Sequence, residues 1–79
     1  EERRKELVKL LNQRAEDAKI SIRNIREEAW KEIQEAEKEG KMSEDDKFSG
    51  KEYLQKIIDE YNKKTEEVRE KKETEIMTI

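Results

Sequence analysis

Lys19, Arg23, Arg26 and Trp30 are separated by four, three and four residues. On a helix turning about 100° per residue, that spacing sets three long cations and an indole in one row. Arginine presents planar donors that match phosphate oxygens, and it stacks on nucleobases. The chemistry suited to the row is therefore non-covalent. Lys19, Arg23 and Arg26 project over one to two turns, as contacts to a nucleic-acid backbone require. Trp30 is placed to stack on a base or to cover the edge of a core. The competing reading is plain solvation, or pairing of the arginines with Glu16 and Glu27 at about 0.3–0.5 kcal/mol per pair.

Other chemistries find little support. The chain has no Cys and no His, so thiolates, disulfides and the commonest general base and metal ligand are missing. Carboxylates are abundant, but on solvated helices they need no catalytic role. No enzyme activity, cofactor or metal site is expected. The acidic run Ser43-Glu44-Asp45-Asp46 lacks the glycine and ordered spacing of a calcium loop. A net charge of -3 gives no global basic signature, but the charge is unevenly spread. Residues 1–26 carry eight Lys/Arg against five Asp/Glu, whereas residues 27–39 carry two against six. No apolar run approaches the roughly 20 residues of a membrane span, and no signal peptide is visible. A cytoplasmic location without a membrane partner is expected. The chain begins at Glu1 already in helical pattern, as a piece of a longer protein would.

The row needs a straight frame. Charged residues make up 52% of the chain and hydrophobic ones 30%, a composition close to that of disordered chains. Phasing separates this sequence from that class. Val8, Leu11, Ala15, Ala18, Ile22, Ile25, Ala29 and Ala36 follow an alternating four-three repeat, broken only by Glu32. Leu7, Leu10 and Ile33 widen the stripe, and no Pro interrupts it. A seam sustained over four heptads predicts one helix over about residues 1–39, packed against another. Ile20 falls on the far side and has no explanation in the pattern.

Gly40 marks the end of that helix, because a residue without Cβ suits the C-terminal cap. Ser43 is a good N-cap for a second helix, and Asp46 stands at the capping-box position. The acids of that first turn also suit the positive end of the helix dipole. The second helix is predicted over about residues 44–78, after a turn at about 40–43. Leu54, Ile57, Ile58, Tyr61 and Val68 form its seam, extended by Ile76 and Ile79, while Thr65 and Lys72 occupy apolar slots. Gly50 lies inside it and costs about 1 kcal/mol relative to Ala. So short a turn predicts an all-α, long antiparallel hairpin forming one domain over residues 1–79.

The chain resembles the C-terminal part of ribosome recycling factor, without gaps. The resemblance rests on Glu1-Glu2-Arg3-Arg4-Lys5-Glu6-Leu7, Ile22-Arg23-Asn24-Ile25-Arg26, Ser43-Glu44-Asp45-Asp46, Leu54-Gln55-Lys56-Ile57-Ile58-Asp59 and Glu75-Ile76-Met77. It implies a three-helix bundle of which this chain holds the second and third helices. The first helix and a small inserted β-rich domain have no counterpart here. It further implies binding to the large ribosomal subunit. With elongation factor G, the family splits post-termination ribosomes. Arginines of the family's motif contact ribosomal RNA and map onto Arg23 and Arg26; Lys19, their neighbour in the basic row, is expected to support them. Two departures stand out: Glu27 occupies a position usually held by Arg, and Phe48-Ser49-Gly50 replaces a stretch that is often basic.

A hairpin cut from a three-helix bundle exposes the groove its third helix filled. Self-association, as a four-helix bundle or by swapped helices, is therefore expected. The rival reading is a structural coiled-coil hairpin that binds only other helices. A pure coiled coil has no use for a Lys-Arg-Arg-Trp row beside its seam.

Overall fold

The computed structural model describes residues 1–78, so the contribution of Ile79 to the second seam lies outside the described residues. Among the described residues the fold consists of two helices, α1 over Glu2–Lys38 and α2 over Glu44–Thr78. They run antiparallel, since Asn12 meets Arg69, Lys19 meets Glu66 and Glu37 meets Lys47 across the pair. The hairpin measures 59 × 15 × 9 Å, one helix thick in its shortest dimension.

The turn is built by its own residues. Gly40 adopts φ 75°, a left-handed conformation that glycine enters without steric cost. Its N–H donates to the Glu37 carbonyl at 3.0 Å, and the Lys41 N–H donates to the Ala36 carbonyl at 2.9 Å. These two bonds satisfy carbonyls that the end of α1 would otherwise leave open, in the Schellman pattern. Three residues on, the Ser43 hydroxyl oxygen accepts from the Asp46 N–H at 3.1 Å and caps α2. Termination and restart within five residues force the chain back along itself.

The helices meet along a narrow seam. Ala15 and Ile58 are buried, at 9% and 5% exposure, with Val8, Leu11, Ala18, Ile22, Ala29, Ile33 and Ala36 half-buried along α1. Leu54, Ile57, Thr65 and Ile76 are half-buried along α2. Thr65 tolerates its apolar slot because its hydroxyl donates to the Tyr61 carbonyl at 2.9 Å. Five predicted seam residues lie outside it. Leu7, Leu10, Ile25, Tyr61 and Val68 are exposed, Ile25 at 62%. A four-three repeat describes an apolar face at least 100° wide, and one partner helix covers only part of that arc. At about 100° per residue, Leu7, Ile25, Tyr61 and Val68 all rotate toward the same face of the hairpin.

Gly50 has a place in this packing that its helix propensity conceals. A Cβ built there would lie 3.5 Å from Ile33 Cδ1, an ordinary van der Waals contact. Gly50→Ala should therefore fit and raise stability by about 1 kcal/mol, the difference in helix propensity. A thermal melt compared with the parent checks this; a lowered midpoint would mean that close approach of α1 requires the glycine.

Candidate nucleic-acid interface

Helical spacing brings Lys19, Arg23 and Arg26 to one flank of α1, and the antiparallel return of α2 adds a second wall. The three cations line one groove together with Ile58, Asn62, Lys63 and Glu66. Ile58 forms an apolar floor, and the charged groups stand along the rims. The predicted site residues are thus neighbours in space. Asn62, Lys63 and Glu66 were not legible as partners, because a single polar residue on a charge-rich helix carries no signal. Only the register set by the Gly40 turn places residue 66 opposite residue 19.

The three cations differ in their engagement. Lys19 Nζ lies 3.4 Å from Glu66 Oε2, a salt bridge across the hairpin. Arg26 pairs with its exposed neighbour Glu27 at 3.1 Å. Such a surface pair is worth about 0–1 kcal/mol and yields readily to a better acceptor. Among the described residues Arg23 has no ion-pair partner and is exposed. Glu16, the other acid considered for pairing, likewise makes no salt bridge among the described residues.

Glu66 is the most connected group here. The Arg69 guanidinium donates to it twice, Nη2 at 2.8 Å and Nε at 2.9 Å, and also reaches Glu73 at 3.0 Å and Asn12 at 3.2 Å. Arg69, with Lys19 beyond it, holds the Glu66 carboxyl below the usual carboxylate range. The same two carboxylates hold Arg69 above its ordinary value. At neutral pH an anion entering the groove therefore meets Glu66 as a carboxylate.

Trp30 stands apart from the groove. It lines an adjoining hollow with Arg26, Glu27, Lys51, Leu54 and Gln55. Lys51 Nζ lies 5.2 Å and Lys47 Nζ 5.8 Å from its ring centroid. Within about 6 Å these are cation–π contacts, so α2 already occupies the indole in part. Trp30 is half-buried, which fits the reading of an indole covering the edge of the core.

On the other side of the seam lies a groove of different character. Leu11, Ala15, Ala18, Tyr61, Thr65 and Val68 give it an apolar floor, with Arg14, Lys64 and Arg69 at its edges. Tyr61 and Val68 are more than half exposed. Among the described residues, no group of three or more acids is placed to hold a metal ion. Among the same described residues, no helix is long and apolar enough to cross a membrane.

A thin hairpin with one cationic groove and one open apolar groove defines a helical element of the bundle-forming type. The sequence profile of the ribosome recycling factor family matches residues 1–77, and the chain belongs to that family. It is 48% identical over its whole length to a protein named ribosome-recycling factor from Bacillus licheniformis, covering 43% of that protein. The corresponding protein of Natranaerobius thermophilus is 49% identical, again with 43% covered, and that of Rickettsia massiliae 46%, with 42% covered. The chain thus spans less than half the length of these curated relatives. No solved structure matches it.

Proposed function

We propose that this chain is the ribosome-facing hairpin of a ribosome recycling factor and that it docks on RNA of the large ribosomal subunit. Arg23 and Arg26 are the principal contacts, with Lys19 in support. The observation that carries this reading is the gathering of all three cations along one groove, away from the apolar face. Two guanidinium groups one helical turn apart suit successive phosphates, which charge-assisted hydrogen bonds favour. The hairpin catalyses nothing itself. In the full-length protein it acts as a stiff wedge, elongation factor G supplies nucleotide hydrolysis, and post-termination ribosomes are split in the cytoplasm. Chemical probing of ribosomal RNA in isolated large subunits tests the docking. The expected result is a short, contiguous set of protections that appears with this chain and is lost in high salt. No protection at low salt would overturn the reading.

The apolar groove supports the placement of this hairpin within a three-helix bundle. Leu7, Ile25, Tyr61 and Val68 are exposed on the face that a third helix would cover. Alone, the chain can bury them only against another copy of itself. Concentration-dependent dimerisation in sedimentation equilibrium is therefore expected, weakened by Val68→Glu. A well-folded, strictly monomeric chain at high micromolar concentration would contradict it.

A further inference from the structure

Trp30 is half-buried at the edge of the core, and open space of about 170 Å³ lies beside it, bounded by Arg26, Glu27, Lys51, Leu54 and Gln55. Arg26 also lines the basic groove, so the hollow continues that groove toward the turn. It is smaller than the roughly 300–1,000 Å³ of a small-molecule pocket. One ring of a larger ligand fits it. The charges around it are unevenly committed. Arg26 is paired with Glu27, and Lys47 with Glu37 at 3.5 Å. Lys51 is exposed and makes no salt bridge among the described residues. Its ammonium rests instead over the indole, 5.2 Å from the ring centroid. Lys47, four residues earlier on α2, lies over the same ring at 5.8 Å. Like charges at that helical spacing repel, so Lys51 is held weakly where it is.

We infer, resting on the RNA-docking reading above, that this hollow is a base-stacking subsite for the RNA strand that follows the groove. An unpaired nucleobase takes the place of Lys51 on the Trp30 ring, and Lys51 turns to the phosphate of the same nucleotide. The exchange is favourable on both counts. A base stacked on an aromatic ring contributes more than an exposed cation–π contact. The displaced lysine gains a charge-assisted hydrogen bond and moves away from Lys47. Lys19, Arg23 and Arg26 grip phosphates without regard to base, whereas this subsite requires a base free of any pairing strand. It directs the hairpin to RNA that carries a splayed-out nucleotide beside the docked phosphates.

Trp30 is the single tryptophan of the chain, so its emission reports the stack directly. The probes are a short single-stranded adenosine oligonucleotide and an abasic ribose-phosphate strand of equal length, titrated into the parent chain at low micromolar concentration. The adenosine strand should quench the emission in step with its binding. The abasic strand should bind at least about fivefold more weakly and leave the emission unquenched, since a stacked base is lost. Trp30→Leu should lower the affinity for the adenosine strand to that for the abasic one, with the salt slope unchanged. Lys51→Gln should flatten the log–log salt slope by about 0.7 for both strands, as loss of one single-strand phosphate contact requires. Equal quenching by the two strands, or equal affinity for them, would overturn the inference. Both readings come from the parent chain, so they decide the matter even where Trp30→Leu loses its helicity. Adenosine-strand binding that vanishes in Arg23→Glu/Arg26→Glu but never quenches Trp30 sinks the inference alone. A parent that binds neither the oligonucleotide nor large subunits sinks the docking reading and the inference together.

Discussion

Reversing both charges, in Arg23→Glu with Arg26→Glu, is expected to abolish binding to isolated large ribosomal subunits while leaving helicity unchanged. Both side chains sit on the rim of the groove and neither holds the helices together. Arg23 has no ion-pair partner among the described residues, and Arg26 touches only Glu27, one residue along the same helix. Removing them therefore costs the fold little. Removing them from RNA is different, because a hydrogen bond to a charged group contributes about 1.5–3 kcal/mol. Losing two such bonds weakens binding on the order of 10²- to 10⁴-fold, and the introduced carboxylates add repulsion. Circular dichroism and a subunit-binding titration on the same samples check both halves. Retained affinity in the double variant would remove Arg23 and Arg26 from the interface.

The second large effect concerns the seam. Ile58 is the one large side chain among the described residues that is buried, at 5% exposure, and it underlies the basic groove. Truncation to Ala leaves a cavity between helices that have few other apolar contacts, at a cost of about 2–5 kcal/mol. A single core in so small a chain rarely supplies more than about 3–5 kcal/mol in total. Ile58→Ala should therefore be largely unfolded at 25 °C. Ile25→Ala, at a position the sequence pattern also assigns to the seam, should shift monomer stability by only about 0.5 kcal/mol because Ile25 is 62% exposed. Thermal melts at low micromolar concentration, where self-association is minor, compare the two. Equal losses would mean that the seam is placed wrongly.

That pair of isoleucines also shows where sequence reading stops. The helices and their boundary were legible because local chemistry decides them: Gly40 ends α1 through its positive φ, and Ser43 begins α2 through its hydroxyl. The hairpin followed from the shortness of that turn. The burial of particular residues was not legible, because periodicity records the apolar arc a helix was selected to cover, not the partners present. Ile25, Tyr61 and Val68 belong to that arc but lack a neighbour here. The α1 side of the basic groove was visible in the spacing of Lys19, Arg23 and Arg26. The α2 side was not, since Asn62, Lys63 and Glu66 acquire meaning only when the turn sets them opposite α1. Trp30 was visible as an unusual residue, but the lysines that cover it come from the other helix.

The most direct test of the central claim is co-sedimentation of this chain with isolated large ribosomal subunits across a salt series. Binding should saturate near one chain, or one dimer, per subunit. Its affinity should fall linearly on a log–log plot with a slope of about −2 to −3, as two or three phosphate contacts require. Absence of binding at low salt, or binding indifferent to salt, would contradict the claim that this groove carries the function.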